Sequence, residues 1–329
     1  MFQLLSVHNY ALQTYMNLIK CQKNCLKYTK VMYHESSKRH VGIQKQIKPA
    51  PGNNWRKGDN VTSALGQMPN APLIYVLAQI RFTLVPRMDK RWENFHEKVF
   101  ELYPKAETER IEQITVIDGK PTAGDTIKRW HLTNETSTSG IIMDAGMLIF
   151  HSTSYKTSEI FFSDFQNVLA EFRPILPEKG VSVSRLGLRY LDLLLQDGNL
   201  AVDQQIIEAL QLPKLTNIGE ARRMDQILTY QTPLGGTMNI RYRQSLTPDV
   251  LPADLFPNKL APPKRLKREK PENSFVGLLD YDHFIEQEQS FDIEAIISHF
   301  QKLHHYSSAA FKLTTTKEAL SEWQKEIQL

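Results

Sequence analysis

The most regular alternation of apolar and polar positions runs from Val181 to Leu195, V-S-V-S-R-L-G-L-R-Y-L-D-L-L-L. Side chains of a strand point alternately to opposite faces, so Leu186, Leu188 and Tyr190 share one side, and Arg185, Gly187 and Arg189 the other. Val181, Val183, Leu191 and Leu193 fall on the arginine side near the ends. The pattern predicts a central strand, buried at both ends and polar only in the middle of one face. An aliphatic residue followed by arginine and an aromatic recurs at Ile80-Arg81-Phe82 and Ile240-Arg241-Tyr242. In the first run, Ile74, Val76, Ala78, Ile80, Phe82 and Leu84 form an apolar comb opposite Gln79, Arg81 and Thr83. In the last, Met238, Ile240 and Tyr242 oppose Asn239, Arg241 and Arg243. If the three strands share a sheet, one face packs on helices. The other carries Gln79, Arg81, Arg185, Arg189, Asn239, Arg241 and Arg243 around Gly187, where no side chain blocks close approach.

Elsewhere the patterning predicts strands at 73–85, 109–117, 126–134, 139–144 and 147–155, the last two joined by the hairpin signal Asp144-Ala145-Gly146. Asp89 is placed to cap a helix whose Trp92, Phe95, Val99 and Leu102 line one side, ending at Tyr103-Pro104. A second helix spans 158–172 with Phe161, Phe165, Val168, Leu169 and Phe172 on one face. After Asp197-Gly198-Asn199 comes a short helix with Val202, Ile206, Ile207 and Leu210, then a hairpin of 224–232 and 236–245. A strand at 275–284 leads to a helix at 292–304, and Thr315 with Glu318 makes a capping box for a last helix through Trp323. Consecutive strands joined by short turns predict an α+β fold, an antiparallel sheet with helices on one face. The repeated three-residue phrase suggests two related halves, although it is too short to establish a repeat.

Composition divides the chain at its start. Through Gly66 there are ten Lys and Arg against two acids, while the remainder has 30 basic and 34 acidic residues. Residues 1–67 are expected to form a basic leader, partly helical or flexible, and residues 68–329 a single α+β domain. Within that domain, 247–273 is rich in proline and charge and predicts a long exposed loop. A mildly acidic main domain argues against a dedicated nucleic-acid-binding fold; the leader or the basic run at 264–270 is the remaining route to nucleic acid. Two cysteines, Cys21 and Cys25, make no disulfide framework and favour a reducing, cytoplasmic setting. No apolar run reaches the length of a membrane span, so no membrane association is expected.

The arginine-lined face is the leading candidate for chemistry. Arginine forks suit phosphate and carboxylate, and several on a rigid sheet make a preorganised anion site. The competing account is that these arginines pair with Asp192, Asp280 and Asp282 on neighbouring strands. Asp280 and Asp282, two apart on a strand, share a face and are weak candidates for holding a divalent cation; His283 points away from them. Cys21 and Cys25 with His8 or His34 lack the second close pair of a zinc site. His304-His305 fits the C-terminus of a helix. No cofactor is called for.

Asn70-Ala71-Pro72-Leu73 before Ile80-Arg81-Phe82, the R-L-G-L-R-Y-L-D run at 185–192, Leu279-Asp280-Tyr281-Asp282-His283-Phe284, and Phe311 with Thr314-Thr315 before Trp323 resemble a sporadically distributed bacterial family of uncharacterised proteins. The resemblance covers Pro69 to Trp323, and R-L-G-L-R-Y is its specific part. It implies no established activity, and a scattered distribution of that kind implies carriage on mobile elements or in defence islands. The expected function is therefore binding of an acidic protein or phosphate-bearing ligand on the arginine face. One alternative is a metal-assisted phosphoester hydrolase using Asp280 and Asp282. The other is an oligomeric structural protein with helix 292–304 and Trp323 at its interface.

Overall fold

The computed structural model describes residues 68–117, 120–213, 215, 217–246, 252, 259–268 and 274–325. The expected leader, with Cys21 and Cys25, lies outside them. Among the described residues, ten strands form one sheet: β1 (Leu73–Phe82), β2 (Lys105–Ile117), β3 (Lys120–Thr133), β4 (Ser139–Met143), β5 (Met147–Ser152), β6 (Ser182–Leu194), β7 (Arg223–Gln231), β8 (Thr237–Ser245), β9 (Val276–Ile285) and the short β10 (Gln289–Ser290). Every pairing is antiparallel, in the order β2-β3-β4-β5-β1-β6-β9-β8-β7, with β10 against the end of β6. The α-helices are α1 (Met88–Val99), α2 (Ser158–Phe172), α3 (Ile293–Thr314) and α4 (Lys317–Trp323). The fold is α+β, and β6 lies in its middle, as its alternation requires.

The order reads alike outward from the β1–β6 seam. In one direction β1 is followed by β5, β4 and β3, a meander that ends in α2; in the other, β6 is followed by β9, β8 and β7, a meander that ends in α3. The topology thus has two similar halves, which differ in that the first has α1 and the extra strand β2. The second has two short 3-10 turns, Val202–Gln205 and Glu208–Leu210, where a helix was expected.

The main core lies between the sheet and its helices. Val76, Ala78, Ile80 and Phe82 of β1, Leu186, Leu188 and Tyr190 of β6, and Met238, Ile240 and Tyr242 of β8 meet Phe95, Phe165, Phe172, Ile297 and Phe300. Two irregularities in the β1–β6 register move residues from their expected sides. The shift between Leu73 and Tyr75 sends Ile74 to the opposite face, and the one between Arg81 and Phe82 brings Val183 into the helix-side core. A bulge inserts one residue and so reverses the parity of all that precede it. Leu84 follows β1 rather than ending its comb and is 75% exposed.

Helix ends also differ from expectation. Arg87, in the left-handed region at φ 56°, occupies the N-cap of α1, and Asp89 lies in the first turn. Thr316, not Thr315, caps α4 by accepting from the Ala319 N–H, while Thr315 closes the end of α3 through the Phe311 carbonyl. α3 continues ten residues past 304, so His304 and His305 sit in mid-helix. Trp323 is fully buried, stacked on Phe311 with its indole N–H donated to Asp197 at 3.2 Å, which removes it from any surface interface.

The face away from the helices is half covered. Ile74, Tyr75, Leu77, Leu191, Leu193, Leu195, Val276 and Leu278 form a second apolar cluster, and Leu260 and Leu266 pack on it. The described part of 247–273 is therefore a strap laid across the sheet, not an exposed loop. At one end Lys259 pairs with Glu107 at 3.0 Å, and Thr153 donates to the Ala261 carbonyl at 3.0 Å. At the other, Arg265 is buried, donating to the Leu193 carbonyl at 2.7 Å and pairing with the buried Asp197. Arg268 reaches Asp197 and the Asn70 side chain, both at 2.8 Å. Two cations of the 264–270 run are thereby engaged inside the fold rather than presented to a nucleic acid.

Candidate functional site

The uncovered half of that face is the arginine-lined floor. Alternation along β1, β6, β8 and β9 brings Gln79, Arg81, Arg185, Arg189, Asn239, Arg241, Arg243, Asp280 and Asp282 to the same side, opposite the buried Ile80, Leu188, Ile240 and Tyr281. The expected residues do converge, but β9, inserted between β6 and β8, brings two carboxylates with them. Direct cross-strand partners are Arg189 with Asp282, Asn239 with Asp282, and Arg241 with Asp280.

Each arginine has a different environment. Arg189 is 8% exposed and grips the 2% exposed Asp280 with two parallel hydrogen bonds, Nε to Oδ1 at 2.7 Å and Nη2 to Oδ2 at 2.6 Å. This planar fork-to-fork contact is the strongest ion-pair geometry available to the two side chains. Arg241 stands 3.8 Å from Asp280, too far for a hydrogen bond, with its side chain 36% exposed. Arg185 folds back over Gly187, where a Cβ would come within 2.8 Å of its Nη1. From there it donates to the Gln79 side chain at 2.5 Å, lies 3.8 Å from Asp282 and 3.7 Å from Glu286, and stacks over the Phe284 ring at 4.3 Å. The space left by the missing glycine side chain is thus taken by Arg185 rather than by a ligand. Burial lowers the pKa of Arg185; Asp282 opposes the shift and Arg81 adds to it.

Arg81 lies directly across from Arg185 and is exposed. Arg243 pairs with Asp225 at 2.9 Å, and Asn239 accepts from Thr229 at 2.8 Å. Asp192 takes no part. It shares the helix side with Tyr190 and Leu194, where burial raises its carboxyl to about 7 against the pull of Arg265.

No model of a known protein family matches the chain, and no curated protein matches it.

A pocket of about 100 Å³ opens on this floor between Arg189, Asn239, Arg241, Asp280 and Asp282. The two aspartates and the arginines share it, as a hydrolase would need. However, both oxygens of Asp280 are held by Arg189, so a cation would have to displace a buried guanidinium to reach them. Among the described residues no group of three or more His, Cys, Asp or Glu side chains is placed to hold a metal. His283 points to the helix side as expected, between Thr232 at 3.1 Å and the Leu303 carbonyl at 3.2 Å. Among the described residues no helix is long and apolar enough to cross a membrane.

Two further polar clusters have no counterpart in the sequence pattern. Under the strap, Tyr75 OH meets His151 Nδ1 at 2.8 Å and His131 meets Glu109 at 3.1 Å; burial lowers His151 to about 3 and lowers His131 as well. Between α2 and α3, Tyr190 OH meets His304 Nδ1 at 2.9 Å, with burial raising Tyr155 to about 12 and lowering His304. Burial holds these histidines neutral and the tyrosines protonated, as interior hydrogen-bonding groups.

Proposed function

We propose that the protein is a binding protein whose open sheet face engages an anionic group, a phosphate or carboxylate borne by an acidic or phosphorylated partner. The observation that carries this reading is an excess of cations on a rigid floor. Arg81, Arg185, Arg189 and Arg241 face Asp280 and Asp282, with the exposed Glu286 at the rim. Arg189 and Arg185 are held by their partners and form the floor; Arg241 and Arg81 are the ones with charge to offer. An arginine already paired still contributes its positive potential, and a second that is half exposed adds its fork to an incoming oxyanion. The resemblance over residues 69–323 supports a bacterial setting on mobile elements, the low cysteine count supports a cytoplasmic one, and neither supplies a reaction.

The test is a thermal-unfolding titration of the full chain with inorganic phosphate, pyrophosphate and a phosphoserine peptide, repeated on Arg81→Gln/Arg241→Gln. A ligand at about 100 times its Kd stabilises the native state by about 2.7 kcal/mol, several degrees in Tm. The expected result is a rise that weakens with added salt and vanishes in the double variant, whose unliganded Tm stays near wild type. A rise equal in the variant, or none with any of the three anions, refutes the reading.

A further inference from the structure

A cavity of about 470 Å³ lies away from the arginine floor. It arises from a mismatch in strand length. β3 leaves β4 after the pair Trp130–Met143 and runs on beside β2, whereas the β4–β5 turn ends at Asp144–Gly146. The segment after β1 crosses this notch, tied to the turn by Val85 N–H to the Ala145 carbonyl at 2.8 Å. Leu84 rests on Gly146, where a Cβ would sit 2.9 Å from its Cδ2, and leaves most of its surface in the opening. Leu84, Val85, Met88, Ile127 and Trp130 make the walls largely apolar.

Three features shape the rim, the first two of which favour negative charge. The first is the N-terminus of α1, whose cap residue Arg87 makes no side-chain cap hydrogen bond. The second is the pair Arg87 and Lys128, both lining the cavity. Of the carboxylates there, Asp144 is engaged by Arg129 at 3.6 Å and by the Gly146 N–H at 2.9 Å, and Asp89 belongs to the helix's own first turn. The third is Trp130 itself. It is 2% exposed, stacked on Trp92, with Lys128 Nζ 5.2 Å from its ring centroid, and its indole N–H has no acceptor among the described residues.

From this combination we infer that the cavity is a second binding site, for a compact amphipathic carboxylate. The apolar body of the ligand packs on Trp130, Met88 and Leu84, and its carboxylate sits at the α1 N-terminus between Arg87 and Lys128. Apolar walls with a few convergent polar groups are the common form of small-molecule sites, and the volume is within their usual range.

Calorimetric titration of the full chain with octanoate, octanol and octylamine tests the site. Octanoate is expected to bind at least about tenfold more tightly than octanol, the step a charge-assisted hydrogen bond provides, with octylamine weakest. In Arg87→Gly/Lys128→Gln, octanoate should weaken about tenfold or more while octanol is unchanged. Glycine tolerates the left-handed conformation of position 87, so the backbone is kept. Arg81→Gln/Arg241→Gln should leave octanoate binding intact, which separates this site from the arginine floor. Octanol or octylamine binding as tightly as octanoate, no octanoate binding, or equal octanoate affinity in a folded Arg87→Gly/Lys128→Gln variant each overturns the inference.

Discussion

Replacing Arg189 by methionine keeps the aliphatic stem and removes the fork that holds Asp280. The carboxylate is 2% exposed, and once Arg189 is gone the nearest described cation is Arg241, whose Nη1 stands 3.8 Å away. Removing one partner of a buried pair costs about 3–5 kcal/mol, because the other charge stays desolvated. Arg241 reduces this only as far as it can close that gap, so about 3 kcal/mol or more is expected. Against a total of about 5–15 kcal/mol for a typical domain, this is a large fraction. Replacing both residues, Arg189→Met with Asp280→Leu, removes the stranded charge and should cost far less than the sum of the single changes. Equilibrium urea unfolding by far-UV circular dichroism, with the slope checked for constancy, measures all arms of the cycle. A cost below about 1 kcal/mol for Arg189→Met, or additive costs in the double variant, would refute the assignment of Arg189 as the structural base of the site.

Asp192 provides a prediction of opposite sign. Its carboxyl is raised from 3.8 to about 7, so the folded state disfavours the charged form, and stability declines as pH rises from about 4 to 7. Asp192→Asn should gain about 2–3 kcal/mol more at pH 8 than at pH 5 in urea unfolding, from about 1.4 kcal/mol per pKa unit; an equal effect at both pH values contradicts it. Two glycines should respond differently to alanine. At Gly140 a Cβ would lie 2.6 Å from the Leu132 carbonyl oxygen, a backbone atom that cannot step aside, whereas at Gly187 it meets the mobile end of Arg185 at 2.8 Å. Gly140→Ala is expected to destabilise by more than about 2 kcal/mol and Gly187→Ala by less than about 1 kcal/mol, and the reverse order in thermal unfolding would show the packing reasoning to be wrong.

What could be read from the sequence was periodicity. The alternation in β6 located the middle strand, and the parity of Arg81, Arg185, Arg189 and Arg241 placed them on one face, because a strand's two-residue period is fixed by its backbone. Parity gave no information about neighbours across the sheet. That Asp280 would meet Arg189 depends on β9 entering between β6 and β8 in one register, whereas Asp192 faces the helices by the parity of β6 itself, two residues after Tyr190. The strap's proline and charge resemble a solvated loop. The contact that holds it, Arg265 with Asp197, joins residues 68 positions apart with no pattern linking them. α3 runs past His304-His305, a pair that resembles a helix terminus, because Ser307 to Phe311 contain neither glycine nor proline to stop it. The notch beside Trp130 follows from unequal strand lengths, the boundary detail that local patterns define least.

The seam between β1 and β6 bears on how the chain could be divided. Each of these strands is an inner strand only because the other half supplies its neighbour; made alone, either half would end in a long apolar edge with unpaired backbone groups. A cut between Gly180 and Val181 would therefore produce two pieces, each seeking an antiparallel partner along the same line. Co-expressed, the pieces would be expected to find each other. Expressed singly, each would be driven to use a second copy of itself.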